Sequence, residues 1–274
     1  MKQLFYFILL FVFLHASARI ITLSPAINEI VYALGAGEQV VGNTTYALYP
    51  EASKSVAKVG GYFSPNLEKI LSLKPTIVIM QPNNHTLAQQ LKRLHIRTEV
   101  VPIDRLQHIT QAITKLGKVL HKEHKAKEIV AGITQALHNL KGIVKGKKIL
   151  MVFGHNTQIT GNIFVAGQNL YFDDIINISG NTNALHSSRK GQPLLNRENI
   201  IALNPDVVIL LAHAMKERKL TEKDLIDPWL ELPINAAKQK HIYIIDKEYS
   251  GIPSDRLIHF LNDFRAILHG IADK

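Results

Sequence analysis

The chain holds thirteen histidines and no cysteine in 274 residues, so any metal chemistry falls to imidazole, phenol and carboxylate groups. His155 is the first candidate. It follows an apolar run from Lys148 to Val152, predicted as a strand, within the segment Phe153 to Asn156 that reads FGHN. Open α/β sheets bind ligands at the C-terminal ends of their strands. His85 and His213 follow two other predicted strands, and three imidazoles converging from strand ends could hold a metal or complete the coordination of a chelate. Taken singly, each could equally be a solvated loop histidine, as expected for His108, His121, His124 and His138 on helical stretches. Other chemistries find less to work with. The segment GAGEQVVG, Gly35 to Gly42, follows a helix rather than a strand and so is not a dinucleotide loop. There is no GxSxG elbow, no HExxH and no cysteine nucleophile. Asp173 and Asp174 are consecutive helix residues, which diverge by about 100° and do not converge on one substrate. No catalytic residue is assigned. The enzyme reading left open is a secreted metal-dependent hydrolase built on His85, His155 and His213.

These residues must be positioned by an alternation of short apolar runs and helical patterns. Ile20 to Leu23 reads as a strand, then Ser24 as a helix cap with Pro25 at the first position and Gly35 as the stop. Thr76 to Met80 and Thr98 to Val101 are further strands, with a helix near Leu87 to Leu94 between them. Lys148 to Val152, Val207 to Leu211 and Ile242 to Ile245 are strands of the second half, and Pro253-Ser254 opens a last helix towards His269. Such alternation predicts an α/β fold with mostly parallel sheets covered by helices. Between the halves, apolar residues from Ala126 to Val144 recur at helical spacing. A stiff helix over Lys122–Val144 is therefore expected to join a first lobe, 19–121, to a second, 145–274.

An internal repeat supports two similar lobes. Asn66 to Met80 reads NLEKILSLKPTIVIM, Asn196 to Leu210 reads NRENIIALNPDVVIL, and seven of fifteen positions are identical without a gap. Gly61 and Gly191 precede the two copies at the same offset. Each copy predicts a short helix, a proline break and a buried strand. Paired lobes enclose a cleft, where small ligands bind.

The N-terminus reads as a secretory signal: Lys2, an apolar run from Leu4 to Leu14, and Ala16-Ser17-Ala18 before Arg19. The run is too short to span a bilayer as a helix. A mature chain starting at Arg19, exported to the periplasm and without a lipid-modified cysteine, is expected. The formal net charge of +10 could attract anions, membranes or nucleic acid. It is spread along the chain, however, and Lys122, Lys125 and Lys127 are interleaved with Glu123 and Glu128. With export, this argues against a nucleic-acid partner.

The segments SPAINEIVYALGAGEQVVG (Ser24 to Gly42), GGYFSPNLEKILSLKPTIVI (Gly60 to Ile79) and AGQNLYFDDIINISGNTN (Ala166 to Asn183) resemble the periplasmic binding proteins that serve ABC importers of ferric siderophores, haem and cobalamin. The resemblance covers the chain from Arg19 to about Gly270. It implies two Rossmann-like lobes joined by a single long helix, no catalysis, no intrinsic cofactor and a bound metal chelate as cargo. The partners it implies are that chelate and the importer permease in the inner membrane; a monomer is expected. By the same resemblance, Glu68 and Glu198 meet arginines of the permease. They are also the paired glutamates of the repeat. Tyr46 and Tyr62 fall where cobalamin-binding relatives place aromatics, while Gln81 and Gln192 stand where those relatives have tryptophan; the single Trp229 lies elsewhere. Arg256, in PSDR, sits near a position that often carries an arginine facing an anionic ligand, with Tyr249 in the preceding loop. The expected ligand site therefore comprises Tyr46, Tyr62, His85, His155, Gln192, His213, Tyr249 and Arg256, with His155 the candidate metal ligand. A sensor subunit binding the same ligand is the other non-enzymatic reading.

Overall fold

The structure, a computed structural model, describes residues 18–187, 192–215 and 217–273. The predicted signal sequence up to Ser17, and Gly191 of the repeat, lie outside the described residues. The first lobe runs β1 (Ile20–Thr22), α1 (Pro25–Ala33), β2 (Val40–Asn43), β3 (Ala57–Lys58), α2 (Leu67–Ser72), β4 (Ile77–Met80), α3 (His85–Arg93) and β5 (Arg97–Val100). Two helices follow, α4 (Leu106–Val119) and α5 (Glu123–His138). The second lobe runs β6 (Lys148–Phe153), β7 (Ile163–Val165), α6 (Tyr171–Ile178), β8 (Thr182–Asn183), β9 (Leu194–Leu195), α7 (Arg197–Leu203), β10 (Val207–Leu211), α8 (Glu222–Leu230), α9 (Asn235–Lys238), β11 (Ile242–Ile245) and α10 (Leu257–Ala272).

The first sheet has the order β3-β2-β1-β4-β5, all parallel. In the second, β6 pairs β10 and β10 pairs β11 in parallel. The other edge of β6 is divided: its start pairs β8 in parallel and its end pairs β7 antiparallel, with β9 beyond. The order β8-β6-β10-β11 thus repeats β2-β1-β4-β5, so the sequence repeat is one element of a larger architectural one. Its two copies also match in local chemistry. The side chain of Asn66 accepts from the Lys69 N–H and that of Asn196 from the Asn199 N–H. Ile70 and Ile200 are both fully buried. Lys74 and Asn204, at equivalent positions before the proline, take left-handed φ values of 46° and 45°.

The entry to α1 follows from its residues. Ser24 accepts from the Ile27 N–H, and Pro25 occupies the first turn, where no N–H is needed. The helix stops at Gly35, φ 79°, where the Gly35 N–H donates to the Tyr32 carbonyl and the Ala36 N–H to that of Val31, the reciprocal closure that a left-handed residue permits. The strands predicted from apolar runs are all present; the short β2, β3, β7, β8 and β9 carry too few residues to show a period.

The segment between the lobes departs from one helix over Lys122–Val144. It is a pair, with α4 ahead of α5 and the latter ending at His138. Gly117 in α4 lies so close to α5 that a Cβ there would come within 2.4 Å of the Ala126 Cβ, which explains the tight packing of the two. Beyond α5, Leu140 and Val144 remain buried although the helix has ended; Gly142, at φ 83°, breaks the pattern that periodicity alone extends. One hydrophobic cluster runs without interruption from β1 and α1 through α4 to β6, α6 and α10, while each lobe has a second cluster on its far face. The lobes therefore share a core.

Candidate functional site

A pocket of about 250 Å³ opens where the C-terminal ends of β1, β4 and β11 approach one another. Ser24, Pro25, Ala26, Tyr46, Tyr62, Gln81 and Ile103 line it from the first lobe and Gly251, Ile252 and Pro253 from the second. No Lys or Arg is among the lining residues. A groove of about 390 Å³ lined by residues of α4 and α5 lies away from any strand end, so the smaller pocket is the better site.

Tyr62 is half-buried, and its hydroxyl donates to Gln81 Oε1 at 3.0 Å. Burial raises its pKa. The phenol is thus neutral and keeps its oxygen lone pairs for a ligand. Phe63 beside it is 85% exposed and meets the Tyr62 ring edge-on at 4.5 Å. The loop carrying both is cinched at its base: the Thr45 N–H donates to the Gly60 carbonyl and the Asn66 N–H to that of Val59. Gly60 has φ 113°, and a Cβ there would come within 2.6 Å of the Ser64 carbonyl oxygen, so this turn needs glycine.

Tyr46 is 71% exposed at the rim. Its loop is anchored by a buried amide network beneath. The Asn28 side-chain amide donates to the Tyr49 carbonyl and to Ser53 Oγ, and Asn43 donates to Asn28 Oδ1 and the Ser53 carbonyl. Lys58 Nζ donates to Asn43 Oδ1 and to the carbonyls of Ala47 and Ser53, and its burial lowers its pKa. None of these groups carries a sequence signal, because each works only through partners brought together by folding.

His155 and His213 leave the C-terminal ends of β6 and β10 and come together, with ring centroids 5.8 Å apart. The His155 Nε2–H donates to the His213 carbonyl, a tautomer that makes Nδ1 the acceptor. Burial lowers the His155 pKa, opposed in part by the hydrogen bond to the His213 carbonyl, which favours the neutral imidazole. His85 does not join them. It is an exposed residue opening α3 in the first lobe. Among the described residues no group of three or more His, Cys, Asp or Glu could hold a metal ion, so the expected convergence of three histidines reduces to a pair. Gln192 is exposed just before β9, at the position equivalent to Tyr62 in the repeat.

Arg256 and Tyr249 are engaged internally. Arg256 is 5% exposed and grips Glu29 with two hydrogen bonds, from Nη2 to Oε1 at 2.6 Å and from Nε to Oε2 at 3.0 Å. Its Nη1 donates to Glu248 at 3.0 Å, and its guanidinium lies 3.7 Å from the Tyr49 ring centre. An arginine turned towards an anionic ligand is thus replaced by one neutralised from the opposite lobe. The Tyr249 hydroxyl donates to Asp263 at 2.8 Å, and burial first, then Asp263, pushes its pKa up to about 12. Trp229 is fully buried in α8 and takes no part in the pocket. Glu68 and Glu198 are both exposed, in the first turns of α2 and α7.

The sequence from residue 20 to 249 matches the family model described as periplasmic binding protein. Among curated relatives, the high-affinity heme uptake system protein IsdE of Staphylococcus aureus is 27% identical over 225 residues, 79% of this chain and 75% of its own. The uncharacterized ABC transporter substrate-binding lipoprotein YvrC of Bacillus subtilis is 28% identical over 249 residues, 88% of this chain and 76% of its own. Among solved structures, the apo periplasmic heme-binding protein RhuT from Roseiflexus sp. RS-1 superposes with a TM-score of 0.74 at 25% identity, covering 93% of this chain and 99% of that one. The periplasmic vitamin B12 binding protein BtuF of Vibrio cholerae gives 0.78 over 94% of this chain and 99% of its own; at 20% identity this speaks for the fold. With its two mostly parallel sheets, shared core and a family-model match over residues 20–249, the chain belongs to the periplasmic binding protein family.

Proposed function

We propose that this protein captures a metal chelate in the pocket between its lobes and delivers it to an ABC importer, with haem the best-supported chelate. The observation that carries the reading is the pocket itself: a mainly apolar hollow at the strand ends of both lobes, edged by Tyr46 and Tyr62. A flat apolar face bearing a hydroxyl suits a macrocycle on one side and a ferric ion on the other. His155 and His213 follow β6 and β10, in the sheet whose β11 precedes Gly251 to Pro253; they are not among the residues lining the pocket, and we assign the His155 imidazole acceptor to iron at its margin. The relatives IsdE and RhuT, both named for heme, support this choice within the family. Because no lining residue is cationic, haem carboxylates would point to the open rim.

Glu68 and Glu198 are exposed at equivalent positions of opposite lobes, and we assign them to the permease contact. A carboxylate in a first helix turn is favoured by the helix dipole, which accounts for one glutamate more readily than for the same one in both lobes. The protein works outside the cytoplasmic membrane as a monomer, without nucleic acid. No helix among the described residues is long and apolar enough to cross a membrane.

The test is haemin titration followed by visible absorption. Tyr62→Ala and His155→Ala are each expected to weaken binding at least tenfold while thermal unfolding stays near wild type. Unchanged affinity in both variants would move the ligand elsewhere.

A further inference from the structure

The ion pair beneath the pocket has a role that its contribution to stability does not explain. Glu29 belongs to α1, whose cap Ser24 and first residues Pro25 and Ala26 line the pocket. Arg256 lies three residues after Pro253, which lines the pocket from the other lobe with Gly251 and Ile252. The two partners are 227 residues apart in sequence, and their side chains are 6% and 2% exposed. Ser254 completes the joint: its hydroxyl donates to Glu29 Oε2 at 2.6 Å, and its Oγ accepts the Arg256 N–H at 3.2 Å. Tyr49 stacks on the guanidinium from the loop that also carries Tyr46. Ser24–Ala26, Gly251–Pro253 and the loop of Tyr46, three of the segments that line the pocket, are thus tied to one forked contact. A buried pair of this kind adds little net stability over apolar side chains of similar volume, but its fork fixes direction and distance.

We infer that Glu29 and Arg256 are a positioning pair for the ligand site, holding Gly251–Pro253 of the second lobe against Ser24–Ala26 of the first so that the pocket is formed before the chelate arrives. The inference rests on the proposed binding function. Without the pair, the competent arrangement becomes one of several, and apparent affinity falls by the fraction that remains competent. The loss appears in association, because the contacts with bound chelate are unchanged.

Glu29→Met with Arg256→Met in one chain removes both charges and keeps the volume, avoiding the uncompensated buried charge a single change would leave. In stopped-flow mixing with haemin, we expect association slowed about tenfold and dissociation within about twofold of wild type. A ligand-independent readout accompanies it. The chain has no cysteine, so Lys92→Cys on α3 and Lys238→Cys on α9 allow paired spin labels, one on each lobe. The apo distance distribution should be narrow with the pair intact and broadened in the double Met variant. Wild-type association with a distribution as narrow as wild type would overturn the inference. If the protein with the pair intact does not bind haemin, the proposed cargo fails, while the distance measurement still decides the positioning role. Should the double variant not fold, Ser254→Ala, which removes one hydrogen bond to Glu29, must broaden the distribution for the inference to stand.

Discussion

Beside the Glu29–Arg256 pair sits a carboxylate with less to gain. Asp255 has a buried Oδ1 without a hydrogen-bond partner, and burial first, then the charge of Glu29, pushes its pKa up to about 6. An acid whose pKa is raised on folding binds its proton more tightly in the folded state, so it costs stability as pH rises from about 4 through 6 and keeps that cost above. At 1.36 kcal/mol per unit the shift amounts to at most roughly 3 kcal/mol, and partial exposure reduces this to about 1–2 kcal/mol. Asp255→Asn should therefore stabilise the protein by that amount at pH 8 and by almost nothing near pH 4. Urea unfolding at the two pH values checks it; an equal effect at both would mean that the charge of Asp255 is not the source. Residue identity alone showed little of this. PSDR drew attention to Arg256 as a cation near a ligand, but its partner Glu29 lies at the other end of the chain. Only the fold reveals that the cation is already neutralised.

Helix ends were legible at the scale of elements because their chemistry is local. Ser24, Pro25 and Gly35 bound α1 through contacts spanning a few residues, and the two asparagine caps occupy equivalent places in the repeat. Replacing either cap, Asn66→Ala or Asn196→Ala, should cost about 1 kcal/mol in denaturant unfolding, as loss of an N-cap side chain does. A negligible change in both would show that the carboxylates of Glu68 and Glu198 serve those turns instead. Periodicity was less reliable where a buried chain is not helical: Leu140 and Val144 keep the apolar spacing of α5 after it has ended at His138. The loop networks were invisible for the opposite reason. Asn28, Asn43, Ser53 and Lys58 show no pattern in sequence, yet they fix the loop that presents Tyr46.

Across the whole molecule, the shared core and two interlobe joints bear on how the protein moves. Besides Glu29–Arg256, the Arg105 guanidinium at the start of α4 pairs with Asp174 on α6, and the Leu106 N–H donates to the same carboxylate at 2.9 Å. Elements bound in this way favour small adjustments over wide hinge opening. A carrier of such limited motion must be recognised through surfaces that both lobes display together, as Glu68 and Glu198 do. Reversing both, Glu68→Lys with Glu198→Lys, should leave haemin affinity within about twofold and abolish most importer-dependent uptake in reconstituted vesicles, since attraction across the interface becomes repulsion. Normal uptake would remove the docking role, and loss of binding would place these residues in the ligand site. The architecture was legible from the repeat, which stated in sequence that two lobes share one plan. The ligand was not, because a pocket selects by shape and by groups from distant segments. The most direct test of the central claim is native mass spectrometry with a visible spectrum of the wild-type protein after incubation with haemin. One haem per chain, with an absorption spectrum that changes in Tyr62→Ala or His155→Ala, is the predicted result. A protein that stays ligand-free in haemin, and also in cyanocobalamin and a ferric siderophore, would contradict the account.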